Sequence, residues 1–222
     1  MGVDFTIDFD FDAFEAEVYS AARAKFTSLH REMSGDTFYS FNFCTADVYQ
    51  HVYIVVFTQN GLENTVRRQG QYHERYRIVA YEELKNYFRF EPESSYFISP
   101  GLDTEFARLF EKANDMLMLF HTKISEHFRD PAIDDSEVFD SLYDPMCAQI
   151  RSTLKKVLQR LDREGRFESS NGRADIHNGL LHSAPTDDWP GPFYDLNPPE
   201  SCRRYIAAKV AYREVRKKIW GY

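Results

Sequence analysis

Apolar residues at steps of three and four first organise the chain at Phe11, Phe14, Val18, Ala22, Phe26, Leu29 and Met33, the spacing of one helix face. Asp10 or Asp12 offers an N-cap ahead of this run, and Gly35 closes it. Asp10, Asp12, Glu15 and Glu17 fall in the first turns, where the helix dipole favours negative charge, so they read as structural. Before the helix, Val3–Phe9 alternates apolar and polar residues and predicts a short strand or extended arm. Thr37–Thr45 puts Tyr39, Phe41 and Phe43 on one face and Ser40 and Asn42 on the other. His51–Gln59 is almost continuously apolar, the pattern of a central strand covered on both faces. The short polar connection between the two predicts an antiparallel hairpin.

Asn60-Gly61 reads as the end of that strand, with a helix over Leu62–Tyr76, a short strand at Arg77–Tyr81 and a helical turn through Glu82–Phe88. Asp103–Phe128 is predicted to be a long helix with the stripe Phe106, Leu109, Phe110, Ala113, Leu117, Phe120 and Ile124. Ser136 caps a further helix, with Pro145 inside it and Gly165 just past its periodic run. Ile176–His182 has strand composition, and Pro185–Pro199 is irregular. Pro199 suits a first helical position, and Glu200–Trp220 closes the chain as a basic helix with Tyr205, Ile206, Val210 and Ile219 on its apolar side. The order lacks a regular βαβ alternation. It predicts a single α+β domain over residues 1–222, an antiparallel or mixed sheet covered by several helices.

Composition sharpens the class. A chain of 222 residues that is 43% hydrophobic and 16% aromatic buries enough surface to need neither disulfides nor metal for its core. Its net charge of −8 repels phosphate backbones, so neither nucleic acid nor an anionic membrane is expected as a partner. Cys44, Cys147 and Cys202 are odd in number and widely spaced, which suits a reducing compartment. With no signal-peptide pattern and no membrane-length apolar run, the expected location is the cytoplasm.

Candidate chemistry is sparse. The sequence has no GxGxxG, no GxxxxGK[ST] and no GxSxG, so no cofactor is expected. His121, Glu126 and His127 share one helix, but the two imidazoles are six residues apart and point to different faces, so no metal is expected there. Asp175, His177 and His182, with Asp187 and Asp188 close behind, supply carboxylates beside imidazoles, the raw material of an acid–base or metal site. No Ser or Cys nucleophile is tied to them by spacing. Cys44 and Cys147 read as buried structural thiols, and Cys202 lies beside Arg203 and Arg204. The basic terminal helix reads as a packing element with cations at its C-terminal end.

Several segments recur together in one known group. Gly35-Asp36-Thr37-Phe38-Tyr39-Ser40-Phe41, Cys44-Thr45-Ala46-Asp47 and Thr58-Gln59-Asn60-Gly61-Leu62 carry the first half of the resemblance. Leu158 to Phe167 (LQRLDREGRF) and Leu196-Asn197-Pro198-Pro199 carry the second. Over roughly residues 10–206 the chain resembles the bacterial domain-of-unknown-function 4303 family. The family has no established activity, so the resemblance implies no catalytic residues. In size and in its lack of catalytic motifs it is similar to small acidic proteins encoded near bacterial toxin systems. The expected function is an acidic, non-catalytic protein-binding module for a basic protein, of the immunity type that neutralises a toxin, with Trp189, Phe193 and Tyr194 as contacts. The alternative is a hydrolase-like enzyme using Asp175, His177 and His182.

Overall fold

The carboxylate of Asp10 accepts a hydrogen bond from the Ala13 amide at 2.9 Å and starts the first helix, α1 (Phe11–Glu32). Phe14, Val18, Ala22, Phe26 and Leu29 are buried along it, as the spacing predicts. The computed structural model of the chain describes residues 8–46, 51–90, 97–98, 104–127, 135–168, 177–182 and 194–221. The strand expected at Val3–Phe9 falls mostly outside these residues; Asp8 and Phe9 are not in a strand.

The sheet is mixed. β1 (Phe38–Ala46) pairs antiparallel with β2 (His51–Thr58), and β2 pairs antiparallel with the two-residue β3 (Phe97–Ile98). β4 (His177–His182) pairs parallel with β1, giving the order β3-β2-β1-β4. A register shift between Phe38 and Ser40 corrects the expected face assignment. Tyr39 joins the opposite cluster from Phe41 and Phe43, although all three occupy odd positions.

Thr58 moves the start of the helix expected from Leu62 forward to Gln59. Its hydroxyl accepts from the Gly61 amide at 3.1 Å, so α2 (Gln59–Tyr72) begins straight from the strand. The strand expected at Arg77–Tyr81 is absent. A 3-10 turn spans Glu74–Ile78, and only Val79 and Ala80 are extended before α3 (Tyr81–Phe88). α4 (Thr104–His127) buries all seven residues of its predicted stripe. α5 (Asp135–Arg163) carries Pro145 inside it.

The end of α5 is closed by two bonds, Gly165 N to Asp162 O at 2.9 Å and Arg166 N to Leu161 O at 3.1 Å. This Schellman arrangement needs a left-handed residue, which Gly165 supplies with φ +70°.

Helices cover both faces of the sheet. One core joins Phe41, Phe43, Ile54 and Val56 to α1, α4 and α5. The other joins Tyr39, Cys44, Val55 and Phe57 to α2, α3 and α6 (Pro199–Trp220). The terminal helix meets this second core through Ser201, Tyr205, Ala208 and Val215, with Tyr212 and Ile219 packed alongside. Ile206 and Val210, expected on its apolar side, are instead 49% and 55% exposed. The inward set keeps helical spacing, so α6 is rotated relative to the expectation.

Candidate functional site

The register shift in β1 has a chemical consequence. It turns Ser40 and Asn42 toward the α6 side of the sheet, where helices cover them completely. β4 lies alongside and places its first residue, His177, opposite Ser40. The Ser40 hydroxyl donates to the His177 carbonyl at 2.9 Å, and Asn42 Nδ2 donates to Ser40 Oγ at 2.6 Å. Asn42 Oδ1 is buried and has no hydrogen-bond partner among the described residues.

The imidazole of His177 is only 2% exposed. Its Nδ1 lies 3.3 Å from Ser201 Oγ in the first turn of α6, and the tautomer sets which group donates. Tyr205, one turn further on, stacks on the ring at 4.7 Å with an interplanar angle of 5°. Phe90 packs against both at 5.1 and 5.0 Å. A serine and a histidine are thus brought within reach of each other, as nucleophilic catalysis requires. Both are closed off from solvent, with Ser201 at 3%. In this state the pair ties β4 to α6.

Asn197 completes the connection. Its Oδ1 accepts from the Asn178 amide at 2.7 Å, and its Nδ2 donates to the Asn178 carbonyl at 2.6 Å. One side chain thereby imitates a neighbouring strand along the free side of β4. Leu196 is buried in the first core, and Pro199 occupies the start of α6, so Leu196, Asn197 and Pro199 of the Leu196-Asn197-Pro198-Pro199 segment each have a physical role.

Of the predicted acid–base set, Asp175 lies outside the described residues. His182 ends β4, and its side chain lies outside them as well. His177 is brought together with Ser201, Ser40 and Tyr205, which the sequence reading did not single out. Trp189 and Phe193 also lie outside the described residues, as do Asp187 and Asp188; Tyr194 opens a 3-10 turn over Tyr194–Leu196. His121 and Glu126 are exposed on α4, and the side chain of His127 is not among those described. Among the described residues, no group of three or more His, Cys, Asp or Glu is gathered closely enough to hold a metal.

The thiols are muted. Burial pushes Cys44 up to about 11, opposed by a hydrogen bond with the Tyr53 hydroxyl at 3.1 Å. Burial first, then the negative charge of Asp144, raises Cys147 to about 11. Cys202 is half-buried, with its Sγ 3.6 Å from the Asn197 carbonyl.

The surface differs in kind. Tyr72 is 77% exposed and Ile78 73%, with Tyr81 at 43% three residues on. The guanidinium of Arg75 lies 4.4 Å over the ring of Trp220, itself 44% exposed, and so joins this segment to the end of α6. These exposed apolar and aromatic side chains were missed because Arg77–Tyr81 alternates like a strand. Ile78 and Tyr81, set between Arg77 and Glu82, were the available signal.

These features define an α+β domain with a mixed sheet between two helical layers and a sealed polar joint at one sheet edge. The chain belongs to the family described as Domain of unknown function (DUF4303), whose model matches residues 18–188. Leu196–Pro199 lies beyond the matched span. Neither the curated proteins nor the solved structures contain a significant match to this chain. Among the described residues, no helix is long and apolar enough to cross a membrane.

Proposed function

We infer that the chain is a non-catalytic protein-binding module whose partner is a basic protein. The observation that carries this reading is the exposure of Tyr72, Ile78 and Tyr81, in a segment whose Arg75 lies over the exposed Trp220. Trp, Tyr and Arg are the residue types that dominate binding energy at protein interfaces, and apolar side chains clustered outside a core mark such sites. Between Tyr72 and Glu83 the segment holds three acids (Glu74, Glu82, Glu83) and two arginines, so it is not itself basic. Charge elsewhere is segregated. α6 carries seven cations against two acids, which leaves 20 cations against 33 acids in the rest of the chain. Such an acidic body speeds encounter with a basic protein. Neutralising a basic toxin, as an immunity protein does, is the finer form of this reading, and a reducing cytoplasm suits the three free thiols.

Catalysis is the weaker reading because the imidazole of His177 and the hydroxyl of Ser201 are occupied in holding β4 to α6. The discriminating experiment uses the tagged chain and its Ile78→Asp variant as parallel baits, with the product of the neighbouring gene included. The expected result is a stoichiometric basic partner, released by moderate salt and held at least ~30-fold more weakly by the variant, as a residue at the centre of an interface would give. Recovery of no stoichiometric partner at low salt, or equal recovery with both baits, sinks the proposal.

A further inference from the structure

The Schellman turn that ends α5 does more than stop the helix. It swings Arg166 back beside Glu164, and α1 meets the same place with Tyr19 and, one turn later, Arg23. Arg160 reaches Glu164 from the preceding turn of α5. The Tyr19 hydroxyl donates to Glu164 Oε1 at 2.5 Å, which fills one oxygen of the carboxylate these guanidiniums share. The Nε atoms of Arg23, Arg160 and Arg166 stand 3.7–3.8 Å from Glu164, close enough for charge attraction and too far for hydrogen bonds.

Three guanidiniums, each with five N–H donors, therefore converge on one anion that cannot satisfy them. Arg166 Nε is buried with no hydrogen-bond partner among the described residues. The Arg160 guanidinium carbon lies 3.6 Å over the centre of the Tyr19 ring, which helps hold its fork in place. Glu168 packs its carboxyl over Gly165, and even with that acid counted the cluster keeps a positive excess.

We propose that this junction of α1 and α5 is a binding site for a small phosphate monoester. Three cations against the Glu164 and Glu168 carboxylates leave one positive charge, and a phosphate monoester brings three non-bridging oxygens to the unsatisfied guanidinium N–H groups where a carboxylate brings two. Planar guanidinium forks match phosphate oxygens two at a time, so several arginines around one centre select phosphate over a simple carboxylate. The site is distinct from the Tyr72–Tyr81 segment and does not depend on it. Arg23 and Arg160 are half-exposed, so a ligand in solution reaches them.

The test is titration of the full chain with methyl phosphate and, separately, inorganic phosphate, in a chloride buffer of low ionic strength, followed by calorimetry and by phosphorus NMR. The expected result is saturable 1:1 binding, competed by sulfate and not by acetate. Arg166→Gln and Arg23→Gln should each weaken binding at least tenfold, while Arg68→Gln, remote on α2, leaves it unchanged. Tighter binding of methyl phosphate than of inorganic phosphate assigns the site to a monoester, and the reverse assigns it to the free ion and overturns that part of the proposal. Circular dichroism of each variant confirms the fold, and Arg23→Gln, on the exposed side of α1, serves where Arg166→Gln does not fold. Absence of saturable binding, equal binding by the arginine variants, or equal competition by acetate overturns the site and leaves the cluster as an ionic clasp between helices.

Discussion

Replacing His177 by alanine removes a ring that Tyr205 stacks on at 4.7 Å and that Phe90 touches at 5.1 Å, at a position only 2% exposed. Truncating a buried aromatic side chain commonly costs about 3–5 kcal/mol, and imidazole is smaller and more polar than phenyl, so the packing loss belongs at the low end. The hydroxyl of Ser201, 3% exposed, also loses its contact with Nδ1, which costs ~1 kcal/mol or more when a buried group is left unsatisfied. Together these give about 3–4 kcal/mol for His177→Ala. His177→Phe restores the stack and loses only the polar contact, so about 1 kcal/mol is expected. Urea unfolding at pH 7.5 measures both; with a slope of ~3 kcal/mol/M, the alanine midpoint falls by ~1 M and the phenylalanine midpoint by about a third of that. Amide exchange should show the alanine loss concentrated in α6, which His177 holds through Ser201 and Tyr205. A His177→Ala midpoint within ~0.3 M of wild type refutes the joint, as does a phenylalanine variant no more stable than the alanine one.

Asn197→Ala leaves both the amide and the carbonyl of Asn178 without their side-chain partner, and a loss of about 2–4 kcal/mol is expected in the same unfolding assay. Asn197→Asp should be no better, because a carboxylate cannot donate to the Asn178 carbonyl. The hydrogen bond from Tyr19, with Arg23, Arg160 and Arg166 nearby, holds the Glu164 carboxyl below its ordinary value of 4.5. A carboxyl lowered in the folded state stabilises it fully above about 4.5 and loses that contribution as pH falls through the lower folded value. Glu164→Gln should therefore flatten the acid limb of the stability–pH curve below about pH 4.5, read by thermal unfolding; an unchanged limb counts against the network. Burial of Cys44 and Cys147, each raised to about 11, predicts that a thiol reagent at pH 8 labels one cysteine, Cys202, in the native protein and all three in urea. Rapid native labelling of Cys44 would contradict its place in the second core.

Elements whose chemistry is local were legible in the sequence. All seven stripe residues of α4 and the inward face of α1 follow from 3.6-residue spacing alone, and Asp10 and Gly165 mark helix ends by their own side-chain chemistry. The mistakes share one cause, a neighbour overriding a local pattern. Asn60-Gly61 reads as a break before a helix from Leu62, yet the Thr58 hydroxyl satisfies the Gly61 amide and the helix starts at Gln59. Tyr39 keeps the alternation on paper, and one register shift sends it to the other core. On α6 the buried face is built from Ser201, Tyr205, Ala208 and Val215, of which only Val215 is a strong apolar signal, while Ile206 and Val210 are exposed. The candidate site was legible only as His177. Its partners come from β1, the segment after α3 and α6, up to 137 residues away, and no spacing rule joins them.

That distance has a consequence for how the protein is made. On the ribosome, β1 and β2 emerge early and can pair at once, but the other side of β1 must wait more than a hundred residues for β4. Until then the nascent chain presents an open strand edge flanked by Phe41 and Phe43, and slow, long-range parallel pairing of this kind is where growing chains stick to one another. Synthesis paused before residue 177 should leave a chain that chaperones hold, and release of α6 from the tunnel should be the moment at which the sheet closes.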